Sequence, residues 1–369
     1  MMSDLLSPVW AQPELRPEFS LAQWEAVLGQ SRQAGLMGRL ARHHVDHGWM
    51  TEVPAKPRLY LEGALRQVDR LHHELRWEID CIHRALAPVG VPFVLLKGAA
   101  YFAADLPPKR GRLFGDIDIM VRREHLQQVE SALFRAGWIS DERDAYNQRY
   151  YREWMHEIPP MRHVQRGTVI DVHHTITPPT SQMCVEGEAL LEHIVAVDAL
   201  QDVYVLAPVD MVLHSAVHLF QEGEFERGLR DLLDLNDLVH HFESRDPDFW
   251  RQLISRAHAL KLQTPLHHAL FHLKRLFGTH VPPAFQGAVE LLRPPWWQRR
   301  LMAMLLEAAL RPVHPSCRQT GEGLARWLLY VRSHALRMPM TLLVPHLVRK
   351  AWMQRFPTKK PEAHPAAEA

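Results

Sequence analysis

The sequence predicts an α+β chain, a small mixed β-sheet core embedded in a largely helical body. Three observations predict it. Helical periodicity fills both ends of the 369 residues. A central block instead shows brief, nearly continuous apolar runs of strand length. Those strands are too few for a doubly wound sheet. The expected division is an N-terminal helical region (1–88), the sheet-bearing core (89–180), a C-terminal helical domain (181–356) and a disordered tail (357–369).

Residues 17–50 carry helical spacing, with Ser20 as an N-cap and Gln23 three residues on, the pattern of a capping box. A long helix is predicted from Pro57 to Leu86, because Leu61, Leu65, Val68, Leu71, Leu75 and Ile79 recur at three- and four-residue intervals. Val91–Leu96 is a short apolar run suited to a strand buried on both faces. Lys97-Gly98 ends it, and a helix resumes over Ala99–Ala104. Pro107–Gly111 reads as a loop, and the next strand carries Asp116 and Asp118. Glu124–Ala136 is amphipathic, with Gly137 placed to cap it. Met161–Val164 and Thr168–His173 flank Gln165-Arg166-Gly167, as in a hairpin. From Glu186 to Phe356 the pattern is mostly helical, and Met338–Phe356 reads as a docked amphipathic segment. There is no internal repeat.

The formal charge of +1 gives no global argument for a polyanionic partner. The balance is uneven, however: residues 291–360 hold thirteen Lys/Arg against two acids. That face is either a solvated basic surface or a contact for nucleic acid, membrane or an acidic partner. Cys81, Cys184 and Cys317 are too few and too scattered for a disulfide framework or a zinc motif, which suits a reducing cytoplasm. Neither a secretory leader nor a run long enough for a transmembrane segment is read in the chain.

The chemistry gathers on the short strands. In a strand, residues i and i+2 share a face, so Asp116 and Asp118 point one way while Ile117 and Ile119 point into the apolar layer. Two anions roughly 4–6 Å apart repel by a few kcal/mol. Such a pair shares a proton, sits in water or holds a cation. Asp171, set between Ile170 and Val172, is a third acid on an apolar strand and needs a partner or an open cleft. Together the three form a ligand set for two divalent cations, the machinery of phosphoryl and nucleotidyl transfer. Lys97-Gly98 lies where a strand meets a helix, so glycine permits close approach and free N–H groups face phosphate oxygens. Gly115 precedes the acidic pair, and Arg112 is a candidate phosphate partner. His173 shares the face of Asp171 and is a candidate for contacting phosphate or orienting bound water. His214 and His218 have the spacing of a two-histidine clamp but no third ligand beside them, so packing is the preferred role. Asp231 and Asp234 share a helix face, where ion pairs with Arg227 or Arg230 are the default.

Val94–Ala100, then Arg112-x-x-Gly115-Asp116-Ile117-Asp118-Ile119-x-Val121, then Ile170–His173 resemble an uncharacterised bacterial nucleotidyltransferase family of the DNA polymerase β-like superfamily. The resemblance extends to His214-x-x-x-His218 and Leu229–Asp234, and covers about residues 55–250. Two positions depart from it. The serine that often follows the glycine is Ala99 here, and His174 stands where the family often has a large aromatic.

The resemblance implies a metal-dependent nucleotidyltransferase that moves NMP from an NTP, ATP by default, to an unidentified acceptor and releases pyrophosphate. Asp116, Asp118 and Asp171 are the expected catalytic and metal-binding residues, for two Mg2+ with Mn2+ as the alternative ion. Lys97, Gly98, Arg112, Gly115 and His173 are the expected nucleotide contacts. The basic C-terminal helices would guide an RNA or protein acceptor, and the loop at 141–157 would help select it. The alternative is a weak or inactive fold relative serving as a nucleotide sensor or scaffold.

Overall fold

The computed structural model describes residues 4–343 apart from 141, 143, 199–201, 222, 224, 340 and 342. The tail expected to be disordered, and most of the segment 338–356, lie outside the described residues. The first helices are α1 (Ser7–Ala11), α2 (Leu21–Gln33), α3 (Met37–Asp46) and α4 (Ala55–Leu86). Ser20 caps α2 through the reciprocal bonds with Gln23 that the sequence suggested. The sheet region runs β1 (Phe93–Leu95), α5 (Lys97–Ala103), β2 (Asp116–Met120), α6 (Leu126–Arg135), β3 (Trp138–Ser140), α7 (Ala145–Arg149), β4 (Met161–His163) and β5 (Val169–His173). Then come α8 (Gly187–Leu191), β6 (Val195–Ala196) and β7 (Val203–Val205). The chain continues with α9 (Pro208–Gln221), α10 (Gly228–Glu243), α11 (Phe249–Ala259), α12 (Gln263–Phe277), α13 (Pro283–Glu290), α14 (Trp296–Ala309) and α15 (Glu322–Arg337).

The seven strands form one mixed sheet in the order β3-β4-β5-β2-β1-β7-β6. β4 and β5 make the expected hairpin, antiparallel across the turn at Gln165–Gly167. β7 pairs in parallel with β1, a strand absent from the mostly helical reading of residues beyond 186. Three residues are too short a run to show a period, so only pairing reveals it. Two pairings place the functional strands. β2 runs parallel to β5 with Asp118 opposite Asp171. β1 runs antiparallel to β2, so its end at Leu95 faces Ile119, and the N–H of Leu96 donates to the carbonyl of Asp118 at 3.0 Å. The Lys97-Gly98 turn therefore arrives beside the acidic pair.

One core runs continuously from Leu75 on α4, through the sheet, to Leu329 on α15. Ile117 and Ile119 are buried in it, opposite the carboxylate face. A second cluster, from Leu6 to Ala64, is closed by Leu229 and Leu233 of α10. Among the described residues no helix is long and apolar enough to cross a membrane.

Helix α3 meets the loop that leads into β2 through a backbone contact that only glycine permits. A Cβ on Gly38 would lie 2.4 Å from the carbonyl oxygen of Gly111, and one on Gly111 would lie 2.4 Å from that of Gly38. Their neighbours, Arg39 and Arg112, consequently enter one buried charge network. Arg112 pairs with Asp234, Arg39 reaches Asp234 at 3.2 Å and Asp237 at 2.5 Å, and Arg230 pairs with Asp231 at 2.6 Å.

Candidate active site

A cleft of 710 Å³ opens beside the central strand β2 and the end of β1. One wall carries Lys97, Gly98, Gly115, Asp116 and Asp118; the floor carries Arg112, Ser215 and His218; the far wall carries Arg326, Trp327 and Tyr330 of α15. Asp171 and His173 lie beside Asp118 on β5, just outside this lining. Helix α15 is held over the cleft through its C-terminal half. Arg332 donates to the carbonyl of Phe220 at 2.7 Å, and Thr180 donates to that of Arg337 at 2.6 Å.

Lys97 adopts a left-handed conformation, φ 46°, an uncommon state for a residue with a side chain. The turn is over-determined by its surroundings: Gly98 is buried, and a Cβ there would lie 2.8 Å from the Phe114 ring and 3.2 Å from Arg112 Nε. Thus β1 ends abruptly, and Lys97 Nζ reaches Asp118 Oδ1 at 3.0 Å.

Asp118 is the electrostatic centre. Its Oδ1 also meets His173 Nε2 at 3.0 Å. Burial opposes ionisation of this carboxyl, but Lys97 and His173 outweigh it and hold the group far below the usual carboxylate range. His173, 1% exposed, reaches Glu157 Oε2 at 3.4 Å as well. Burial works against its protonation, yet the bond to Asp118 and the charge of Glu157 raise its pKa overall.

Asp171 behaves oppositely. Burial comes first, followed by the charges of Glu157 and Asp118, and they push its carboxyl up to about 7. Its Oδ1 is buried with no hydrogen-bond partner among the described residues. Asp116, by contrast, is exposed at the start of β2. An orphaned carboxylate oxygen beside two further acids is a donor set that a hard divalent cation would satisfy. The three aspartates do not themselves converge within 4.8 Å; among the described residues that spacing belongs to His156, Glu157 and His173. Asp118 is turned instead toward Lys97.

Arg112 lines the cleft, but its guanidinium is committed to Asp234, with Asp231 at 3.8 Å. The ion pair of Asp231 with Arg230 matches the sequence expectation, whereas Asp234 answers to Arg112 and Arg39. His214 is buried on α9, and burial followed by the nearby Lys97 holds it neutral; His218 faces the cleft. His174 is buried behind the site, where burial lowers its pKa to about 4. It takes no part in lining the cleft. Sequence reasoning placed His156 and Glu157 only within the loop expected to help select the acceptor, and singled out neither Trp327 nor Tyr330. The only available signal for Glu157 was an acid within reach of a strand already suspected, and its bridge to His173 is visible only in the pairing.

A mixed sheet with an acid-x-acid strand, a third acid in register beside it and a glycine turn facing the pair defines the nucleotidyltransferase class. The chain belongs to the family described as uncharacterised nucleotidyltransferase, whose model matches residues 20–278. No curated protein and no solved structure matches it. The matched span holds the sheet and helices α2 to α12, while α1, α13, α14 and α15 lie outside it.

Proposed function

We propose that this protein is a metal-dependent nucleotidyltransferase that moves NMP from an NTP, ATP by default, to an acceptor and releases pyrophosphate. The observation that carries this reading is the register of Asp118 against Asp171, with Asp116 and Lys97-Gly98 beside Asp118 on one wall of the cleft. Asp116, Asp118 and Asp171 would hold Mg2+, as two ions, with Mn2+ as the alternative; their oxygen-only donor set suits a hard cation. Bound there, the metal supplies charge neutralisation for the triphosphate and activation of the attacking hydroxyl.

The chain's own residues do the rest. Lys97 leaves Asp118 for a phosphate oxygen, serving as a point charge where Ala99 offers no hydroxyl. Gly98 and Gly115 let the triphosphate approach the backbone, since Gly115 faces open space. Arg112 adds positive potential from its ion-paired position, and His173 orients Asp118. Asp171, completing the site beside Asp118, takes the proton of the acceptor hydroxyl. The acceptor enters past Trp327, Tyr330 and Arg326 of α15, which suits an RNA or protein guided by the basic C-terminal helices. The three scattered cysteines suit a reducing cytoplasm.

The test is pyrophosphate release and label transfer from α-labelled NTP, with magnesium, total RNA and lysate. Asp116→Ala and Asp118→Ala should abolish both while the circular dichroism spectrum is kept. Full activity in both variants would remove the assignment. A nucleotide sensor is the second reading, favoured by one observation: Lys97 and His173 already neutralise Asp118. Calorimetric binding of NTP and magnesium without pyrophosphate release would select it.

A further inference from the structure

We infer that His156, Glu157 and His173 form a second cation site, suited to a late first-row divalent transition ion such as zinc. The proposal does not rest on nucleotidyl transfer. The segment bearing His156 and Glu157 is clamped along β5 by backbone bonds. The N–H of Ile158 donates to Val172 at 3.0 Å, and that of His174 donates to His156 at 2.9 Å. Glu157 and His173 form an antiparallel bridge, which sets their side chains on one face. The rings of His156 and His173 stand 5.1 Å apart, inclined by 35°.

One donor atom from each residue lies within 4.8 Å of the other two. His173 Nε2 and Glu157 Oε2 are 3.4 Å apart, long for a hydrogen bond. A tetrahedral ion with bonds of about 2.0–2.1 Å separates neighbouring donors by about 3.3–3.4 Å. Both histidines are buried, at 6% and 1% exposure, while the Glu157 side chain keeps 19% and leaves an entry path. Two imidazoles and one carboxylate favour zinc over magnesium, because nitrogen donors suit the borderline ion and the neighbouring aspartates offer oxygen alone. Asp118 Oδ1, at 3.0 Å from His173 Nε2, stands next to this set, so an ion held there would compete with Asp118 for His173.

The test uses the full chain stripped with chelator and titrated with zinc against a chromophoric competitor, without nucleotide or magnesium. The wild type should bind one tight equivalent that His156→Ala and the isosteric Glu157→Gln each weaken by at least about tenfold, the lower end of the effect of removing even a supporting partner. If His156→Ala fails to fold by circular dichroism, Glu157→Gln decides. X-ray absorption of the one-equivalent complex should show two imidazoles. Absence of tight binding, binding that Glu157→Gln leaves unchanged, or an all-oxygen or sulfur shell would overturn the site. Asp116→Ala should keep zinc binding while losing magnesium-dependent transfer, so the two readings fail separately.

Discussion

Replacing Asp171 by asparagine should stabilise the metal-free protein at alkaline pH. The carboxyl moves from 3.8 to about 7 on folding, so between those values the folded chain holds a proton that the unfolded chain has released. Stability therefore falls as pH rises through that window, and the loss is complete above pH 7. At about 1.4 kcal/mol per pH unit, carrying the charge costs about 4 kcal/mol. Asparagine removes the charge but leaves an amide where Oδ1 has no partner among the described residues, which returns about 1–2 kcal/mol. The net gain is about 2–3 kcal/mol at pH 8, shrinking toward zero or below near pH 4, where wild-type Asp171 is neutral in the folded state. Thermal melts of both proteins in chelator, from pH 4 to 8, read the gap between them, and subtraction cancels the titrating groups that do not interact with Asp171. Magnesium with NTP should raise the wild-type melting temperature and not that of the variant. A gap that stays constant with pH would refute the electrostatic account of Asp171.

Four further outcomes follow from the same geometry. Asp118→Asn removes the charge that holds the His173 proton, so the His173 titration followed by NMR should move to lower pH; an unmoved titration would mean that Glu157 alone supports it. Asp234→Ala leaves Arg39 and Arg112 buried without their shared carboxylate and should cost about 3–5 kcal/mol in denaturant unfolding. Gly98→Ala drives a methyl to 2.8 Å from Phe114; calorimetry should show weakened NTP binding, with about 1–3 kcal/mol lost in stability. Trp327 is 58% exposed, so Trp327→Ala should change stability by less than about 0.5 kcal/mol while lowering acceptor-dependent turnover.

Much of the sheet was legible because its strands carry local signals. Val91–Leu96, Gly115–Val121 and Thr168–His173 are apolar runs punctuated by glycine, and β1, β2 and β5 fall within them. The capping box at Ser20 and the length of α4 were equally local. Helix α6 begins two residues after the expected start, following a 3-10 turn at Arg123–His125. β7 escaped because three residues show no period, and α15 offered no reason to lie over a cleft formed far upstream.

The sequence by itself determined the residue chemistry: two aspartates on one strand face, a third acid on an apolar strand, and a lysine-glycine turn before them. These are facts of period two and of local composition. Tertiary structure alone decided how the charges are shared. Parallel pairing set Asp118 against Asp171, the antiparallel arrival of β1 brought Lys97 to Asp118, and a single bridge brought Glu157 to His173. The contact of Gly38 with Gly111 drew Arg112 into a buried network rather than leaving it free for phosphate. Charge pairing depends on distances across the chain, and a carboxylate's state is set by those neighbours and by burial, neither of which the order of residues states.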